Sequence, residues 1–276
     1  MIMHPLHISF LKKSSNILKT LDEKEVEIWE LYHKNDNAIL SDWAKHFREH
    51  YCKDNEIDYL RSGTGKSRKD YLNMIKFPDE KQKPGPSIRA GDFGEILVAD
   101  LLEFIFNFEV LSRTTRYSNK INRNESPKGS DIIGFRFIDK LNVDPRDELA
   151  VFEAKAKFTG SIKGAENRLQ KAIEDSAKDK FRISESLNAM KQRFFDKKMT
   201  NEIEKIQRFQ SEADNPYRTI NGAVALVSNH NYSDSIATNA DTDKHPLKHN
   251  LRLIIIKGKD MMDLVHELYR RAADEA

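Results

Sequence analysis

Glu153 and Lys155 stand two residues apart in the segment ELAVFEAKAKF, which has the composition of a strand. Because side chains alternate across a strand, both point to one face together with Val151 and Lys157, while the apolar residues between them point to the other face. An acid and a lysine at this spacing are typical of half-exposed edge strands as well as of active sites. The pair therefore indicates chemistry only if further carboxylates lie beside it.

Two further carboxylates are expected to join this pair. Asp131 opens the segment DIIGFRFI, which is predicted to be a strand that a turn-rich connection links to the strand of Glu153. Antiparallel pairing in such a hairpin brings Asp131 beside Glu153. Glu95 lies upstream in a helical pattern, where Gly91 and Gly94 let its backbone approach the sheet closely. Three carboxylates and one lysine are thus expected to converge at one end of a hairpin.

This set of groups suits the hydrolysis of a phosphodiester. Hard oxygen ligands favour Mg²⁺ or Mn²⁺, and such an ion neutralises charge on the phosphoryl oxygens and activates a water for in-line attack. We expect Asp131 and Glu153 to be ligands of the ion, and Glu95 to be a direct or water-mediated ligand. The ammonium of Lys155 is expected to orient the water or to stabilise the developing charge. These four residues are the predicted catalytic set.

A basic segment leads into Asp131 and is the predicted path for nucleic acid. The whole chain carries 46 basic and 44 acidic residues, so its net charge of +2 does not by itself indicate a nucleic-acid partner. Residues 111–128, however, contain five cations, Lys128 among them, and one acid, with Tyr117 available to stack on a base. The residues predicted to contact DNA are Arg113, Arg116, Lys120, Arg123 and, on the strand of Glu153, Lys157.

The surrounding elements predict an α/β (or α+β) fold with a mixed sheet flanked by helices. Residues 1–84 are predicted to be a mostly helical module for partner docking or regulation, with helices over 21–34 and, capped by Ser41, over 41–52. A proline-rich stretch at 77–87 marks the boundary to a second domain over residues 85–276. In that domain the pattern predicts helices over 87–108, 161–210 and 261–276, and strands over 109–112, 131–138, 148–158, 222–228 and 251–257.

The order of these motifs resembles that of the PD-(D/E)xK nuclease superfamily. Gly-Glu on a helix, then Ser-Asp, then Glu-Ala-Lys follow one another over residues 95 to 155, and Ser130 stands where the name of the motif has proline. More narrowly, the segments RAGDFGEILVADLL, KGSDIIGF and ELAVFEAKAKFTG resemble the HamA family, the nuclease subunit of the Hachiman anti-phage defence system. This narrower resemblance covers most of residues 88–170.

The resemblance implies a fold, an activity and a partner. The fold is a restriction-endonuclease-like core, and the activity is that of a Mg²⁺-dependent deoxyribonuclease acting on phage or damaged DNA. The implied partner is a superfamily 2 helicase subunit of the HamB kind. All three are expectations that the resemblance implies.

Two other functions fit the same residues. The nuclease-like domain could be catalytically silent and serve as a DNA-binding adaptor in a helicase complex, although all four expected side chains are present. The chain could also be a sequence-specific restriction-type endonuclease, which would give discrete DNA fragments. Cleavage of plasmid DNA with Mg²⁺ or Mn²⁺ separates these functions.

Other signals in the chain carry less weight. The segment GTGKS at 63–67 resembles a phosphate-binding loop, but Leu60 stands where such a loop needs its first glycine. The histidines of the polar stretch 229–250 do not have the spacing of zinc ligands. Cys52 is the only cysteine, which excludes an intrachain disulfide. No segment has the length of a membrane span or the pattern of a secretory signal, so we expect a cytoplasmic protein.

Overall fold

One mixed sheet organises the part of the chain that the computed structural model describes, residues 4–127 and 129–276. The strands are β1 (Leu11–Lys19), β2 (Glu25–Leu31), β3 (Ile132–Arg136), β4 (Glu148–Lys157), β5 (Arg218–Ser228) and β6 (Leu251–Gly258). They lie in the order β1-β2-β6-β5-β4-β3, in which β2, β6, β5 and β4 are parallel. The edge strands β1 and β3 are antiparallel to their neighbours. The mixed sheet flanked by helices is therefore confirmed.

Helices cover both faces of this sheet. They are α1 (Asn37–Tyr51), α2 (Ile57–Arg61), α3 (Arg68–Tyr71), α4 (Gly85–Asp100), α5 (Arg113–Arg116), α6 (Ile162–Ala165), α7 (Arg168–Asp196), α8 (Thr200–Gln207), α9 (Ser235–Thr238) and α10 (Met261–Asp274). On one face, α1, α4 and α10 enclose a core that includes Trp43, Phe93 and Tyr269. On the other face, α7 packs against β4 and β5. None of the helices in the described ranges is both long and apolar enough to cross a bilayer.

The N-terminal segment differs most from the sequence prediction. The helix predicted over 21–34 is wrong, because β2 occupies its centre and pairs with β6 on one side and with β1 on the other. Val26 and Ile28 are buried on one face of the sheet, and Trp29 and Leu31 are buried on the opposite face. A strand that lies inside a sheet buries both faces, so its apolar residues do not show a simple alternation. The pairing of β2 with residues far along the chain makes this segment a strand.

The helix predicted after it is confirmed, with an earlier start. Helix α1 begins at Asn37, and Asp36 is its N-cap, accepting a hydrogen bond from the backbone N of Ile39 at 3.2 Å. Ser41 lies inside α1, so the prediction of Ser41 as the cap is wrong. The mostly helical description thus holds after residue 36 and fails before it.

The predicted boundary between residues 84 and 85 crosses a continuous core. The largest apolar cluster extends from Phe10 and Trp43 to Ile254 and Ala273, so side chains from both predicted domains pack together. Strand β2 also belongs to the same sheet as β4. The two-domain division and the docking role of residues 1–84 stay predictions.

Helix α4 lies close to the sheet at one glycine. A Cβ on Gly94 would stand 3.3 Å from the Cβ of Ala156 and 3.4 Å from Cδ1 of Leu226, so the helix packs tightly on β4 and β5. The close approach predicted for Gly94 is confirmed. Gly91 has no heavy atom within 4 Å of such a Cβ, and its predicted part in that approach is wrong. The contact at Gly94 fixes the neighbouring Glu95 at the sheet.

Candidate active site

The end of the β3–β4 hairpin brings the predicted acidic residues together. Ile132 pairs with Phe152, so the same antiparallel register places Asp131 opposite Glu153. Oδ2 of Asp131 accepts a hydrogen bond from the backbone N of Ala154 at 3.2 Å. Strand β4 lies between β3 and β5, and the acid–lysine pair lies just beyond the last residue of β4 that pairs with β3, while it stays paired with β5. The juxtaposition of Asp131 and Glu153 predicted from the sequence is therefore confirmed.

A cleft of about 600 Å³ opens onto these residues. Its floor includes Asp131, Glu153 and Lys155, and one wall is a face of α7. The remaining residues around it are Ser112, Arg116, Pro127, Gly129, Ser130, Ile133, Asp175, Arg182, Glu185, Ser186, Ala189, Met190 and Arg193. A volume of this size is in the range of ligand-binding clefts.

Lys155 is held between two carboxylates. Its Nζ lies 2.5 Å from Oε1 of Glu153 and 2.9 Å from Oδ2 of Asp175, which comes from α7. Burial alone would lower the pKa of Lys155, but the charges and hydrogen bonds of Glu153 and Asp175 outweigh burial and raise it above the ordinary value. Lys155 is therefore a fixed, fully charged ammonium beside Glu153.

Arg116 joins the other two carboxylates. Its Nε donates to Oε2 of Glu95 at 3.0 Å, and its Nη2 donates to Oδ1 of Asp131 at 3.1 Å. Its Nη1 donates to the backbone oxygen of Ser130 at 2.8 Å. Every one of these bonds is charge-assisted or made to a buried acceptor, which gives the guanidinium a single orientation. Arg116 is a structural cation of the site in this conformation.

Glu95 lies behind Arg116 as seen from the cleft. It is 7% exposed, and its Oε2 also accepts from the hydroxyl of Tyr117 at 2.8 Å. It lines a small internal space next to Tyr117 that Arg116 and Asp131 also line, but it does not line the cleft onto which Asp131 and Glu153 both open. In this position Glu95 is better placed to act on a metal ion indirectly, through other groups, than to ligate it directly.

The electrostatics of the carboxylates fit a divalent cation. Burial and then the charge of Glu153 raise the pKa of Asp131 to about 7. Burial and then the charge of Asp131 raise the pKa of Glu95. A cluster of buried oxygens that repel one another is stabilised by a hard cation, which is the usual arrangement of a Mg²⁺ or Mn²⁺ site. The donor set therefore fits the predicted ion, with Asp131 and Glu153 as the oxygens that face the cleft.

The cations of the predicted DNA-binding segment are engaged inside the protein. Arg113 pairs with Asp100 and Glu103, and Lys120 pairs with Asp92, all three acids being on or directly after α4. Together with the Arg116–Glu95 pair, these contacts attach the segment to α4 over most of its length. The sequence prediction treats these cations as free for phosphates, but their charges are compensated in this conformation.

The other predicted DNA contacts are less enclosed. Arg123 pairs with Asp79 and donates to the backbone oxygens of Asn73 and Phe77. Lys157 continues the face of Lys155 along β4 but does not line the cleft. Lys128 lies outside the described residues. A role of these cations in binding DNA stays a prediction.

A second group of potential metal ligands is a buried charge network. His7 and His46 each place Nε2 2.9 Å from an oxygen of Asp100. The Nη1 of Arg113 lies 2.5 Å from the same carboxylate and 3.4 Å from Nε2 of His46. Asp100 is fully buried, and its two oxygens are already bonded to both histidines and to the guanidinium. The group thus connects the segment of His7 with α1 and α4 as a compensated charge network.

A larger groove of about 1230 Å³ lies at the opposite ends of the strands on the same face of the sheet. Its lining mixes acids and bases, among them Glu148 and Arg218, and includes neither Asp131, Glu153 nor Lys155. We assign the chemistry to the smaller cleft, because all three of those residues meet there.

The sequence prediction missed the contribution of α7. Asp175, Arg182, Ser186 and Arg193 line the cleft, and the hydroxyl of Ser186 accepts a hydrogen bond from the backbone N of Ser130 at 3.1 Å. These residues carry no motif, and their spacing of seven, four and seven residues is the only signal that they share one side of a helix. Which side faces the cleft depends on how α7 crosses the sheet.

Comparison with known proteins completes the description of the site. A family model described as HamA matches residues 6–272 of the 276 in the chain. No curated protein and no solved structure gives a significant match, so the restriction-endonuclease-like core stays a prediction. The family match includes the N-terminal strands as well as all four predicted catalytic residues. The chain therefore belongs to the HamA family, and this membership makes it a component of the Hachiman anti-phage defence system.

Proposed function

We propose that this protein is a metal-dependent DNA nuclease that hydrolyses phosphodiester bonds of phage or damaged DNA. The observation that carries the proposal is the convergence of Asp131, Glu153 and Lys155 on the floor of one cleft. Membership of the HamA family supports the setting in anti-phage defence. The site residues lie on the β3–β4 hairpin of the central sheet and on helices that pack against it, and these regular elements hold them rigidly.

Asp131 and Glu153 would hold Mg²⁺ or Mn²⁺ through the oxygens that face the cleft. A bound ion of this kind neutralises charge at the phosphodiester and activates the water that attacks it. Arg116 fixes the carboxylate of Asp131 from behind, and Glu95 fixes Arg116 in turn. Glu95 would then act on the ion through Arg116 or through water.

Lys155 would act on the attacking water. Its ammonium is held by Glu153 and Asp175 and is positioned to orient that water and to stabilise the negative charge that develops on phosphorus oxygens. In the reaction, the hydroxyl of water bonds to phosphorus, one P–O bond breaks, and the proton that the water loses ends on the leaving oxygen. A lysine that is permanently charged is suited to electrostatic stabilisation and not to accepting the proton of the water.

We also propose that the protein works with a helicase subunit of superfamily 2. The proposal rests on family membership, since the HamA family belongs to a defence system with a partner. The described part of the chain carries exposed apolar side chains on α2 and after α3, including Tyr59 and Met74. Co-purification of the helicase subunit with this tagged chain tests the proposal.

The nuclease proposal is tested with purified full-length protein and plasmid DNA. We expect cleavage with Mg²⁺ or Mn²⁺, none in EDTA, and a loss of at least about 100-fold in rate for Glu153→Gln and for Lys155→Ala. Glu148→Gln is the matched control, because Glu148 is on the same strand and pairs with Arg136 at the other end of β4. Thermal unfolding of each variant verifies that it is folded.

The outcomes also separate the alternative functions. Metal-dependent cleavage that Glu153→Gln leaves intact would contradict the assignment of the site. DNA binding without any cleavage, alone or with the helicase subunit present, would favour the silent adaptor. Discrete fragments of reproducible length would favour a restriction-type endonuclease.

A further inference from the structure

One face of α7 forms a row of side chains above the site. Arg182, Ser186, Ala189 and Arg193 all line the cleft, at intervals of four, three and four residues. Such intervals put side chains in one stripe along a helix. Arg182 and Arg193 are eleven residues apart, which is three turns and roughly 16–17 Å along the helix axis. The stripe therefore begins and ends with an arginine.

These two arginines differ from the other cations of the cleft. Arg116 and Lys155 are each paired with two carboxylates of the site. Arg182 and Arg193 form no ion pair with any residue whose side chain the structure describes. Arg182 is exposed and Arg193 is half-buried. The wall formed by α7 thus presents uncompensated positive charge, while the floor is charge-paired.

The charges around the cleft favour an anion beside this wall. The lining contains four cations, two of them these arginines, and four carboxylates, of which Asp175 and Glu185 lie on α7. A divalent ion on the floor would make the whole lining positive. Burial and then the charge of Arg116 lower the pKa of Arg193, so its positive charge is destabilised where it lies. A phosphate bound to Arg193 would offset that cost.

Building on the proposed nuclease function, we propose that Arg182 and Arg193 bind backbone phosphates of the DNA strand that crosses the active site. A strand that runs along α7 advances about 3.4 Å per nucleotide, so the two arginines would contact phosphates about five nucleotides apart. Asp131 and Glu153 line the same cleft as the stripe. Arg182 and Arg193 form this phosphate track. Arg113, Arg116 and Lys120 pair with acids on α4 instead and are not part of it.

The test measures DNA binding by the full-length protein in EDTA, where no cleavage occurs. The probe is a fluorescent DNA duplex of about 20 base pairs, and its anisotropy is followed over a range of salt concentrations. For Arg182→Gln and for Arg193→Gln we expect binding to weaken several-fold and the slope of log K against log salt to fall by about one. The double variant should lose about two, and Arg182→Lys should keep the wild-type slope.

The matched control is Arg218→Gln. Arg218 is exposed and has no ion pair among the described residues, but it lines the other groove. Wild-type slope in the double variant, loss of slope in Arg218→Gln, or a wild-type protein that does not bind DNA at low salt would overturn the proposal. This test does not depend on catalysis. If the wild-type protein never cuts DNA but the double variant shows the expected loss of salt dependence, the proposed function is refuted and the phosphate track is supported.

Discussion

At the scale of single residues, the charged form of Asp131 is destabilised, and a bound metal ion would remove that cost. Its carboxylate is buried, faces Glu153, and is only partly compensated by Arg116 and Lys155, so its pKa rises to about 7. Because this folded value exceeds the ordinary 3.8, the group binds its proton more tightly in the folded state. Ionised Asp131 thus destabilises the metal-free protein as the pH rises from 3.8 to about 7.

A metal titration at two pH values tests this assignment. A cation must displace the proton of Asp131 below about pH 7, so we expect the affinity for Mn²⁺ to fall by up to about tenfold between pH 7 and pH 6. Calorimetric titration of the wild type measures the affinity and the number of protons released. Asp131→Asn should remove the pH dependence together with tight binding, and equal affinities at pH 6 and pH 8 in the wild type would contradict the role of Asp131.

At the scale of elements, α4 is the support on which the site rests. It presents acids on one side to the basic segment and a glycine on the other side to the sheet. The charge pairs of that segment are largely buried, so breaking one of them leaves an uncompensated charge in the core. The position of α4 therefore determines where Arg116, and through it Asp131, can lie.

A pair of glycine substitutions in α4 tests this support. Gly94→Val would place its methyl groups against Ala156 and Leu226, and we expect it to lower the free energy of unfolding by about 1–3 kcal/mol. Gly91→Ala meets open space inside the same helix and should raise the free energy of unfolding by about 0.5–1 kcal/mol. Urea denaturation followed by circular dichroism measures both values. Equal effects of the two substitutions would show that α4 does not pack on the sheet at Gly94.

At the scale of the whole molecule, the N-terminal segment is part of the main sheet. Strand β2 hydrogen-bonds to β6 over six residue pairs, from Val26–Leu253 to Leu31–Gly258. Helix α1 packs on α10, and Trp43 and Tyr269 belong to one core. A chain that lacks these elements would expose one edge of β6 and a large apolar surface.

Expression of residues 85–276 alone tests the division into two domains. We expect this fragment to be insoluble or to unfold without cooperativity, because its core is incomplete. Co-expression with residues 1–84 should restore a soluble complex, and the full-length chain is the control. A fragment 85–276 with a sharp unfolding transition of its own would support the boundary predicted from the proline-rich stretch.

The chemistry of the site was readable in the sequence because it depends on short spacings. Glu153 and Lys155 share a face through the two-residue period of a strand, and a hairpin brings Asp131 to them through nearby residues. Strands β5 and β6 were predictable for a similar reason, since buried parallel strands are short continuous apolar runs. Local periodicity and turn composition suffice for contacts made by neighbouring segments.

Only the tertiary structure decided which charges remain available. The sequence assigned the basic residues near Asp131 to DNA, but α4 compensates Arg113, Arg116 and Lys120 with acids up to 28 residues away. The sequence likewise could not show that β2 pairs with β6, more than 220 residues further along the chain. Both outcomes follow from non-local burial, which takes polar groups out of water only when each finds a partner. The acid–lysine pair was therefore determined by the sequence alone, and its surroundings by the fold.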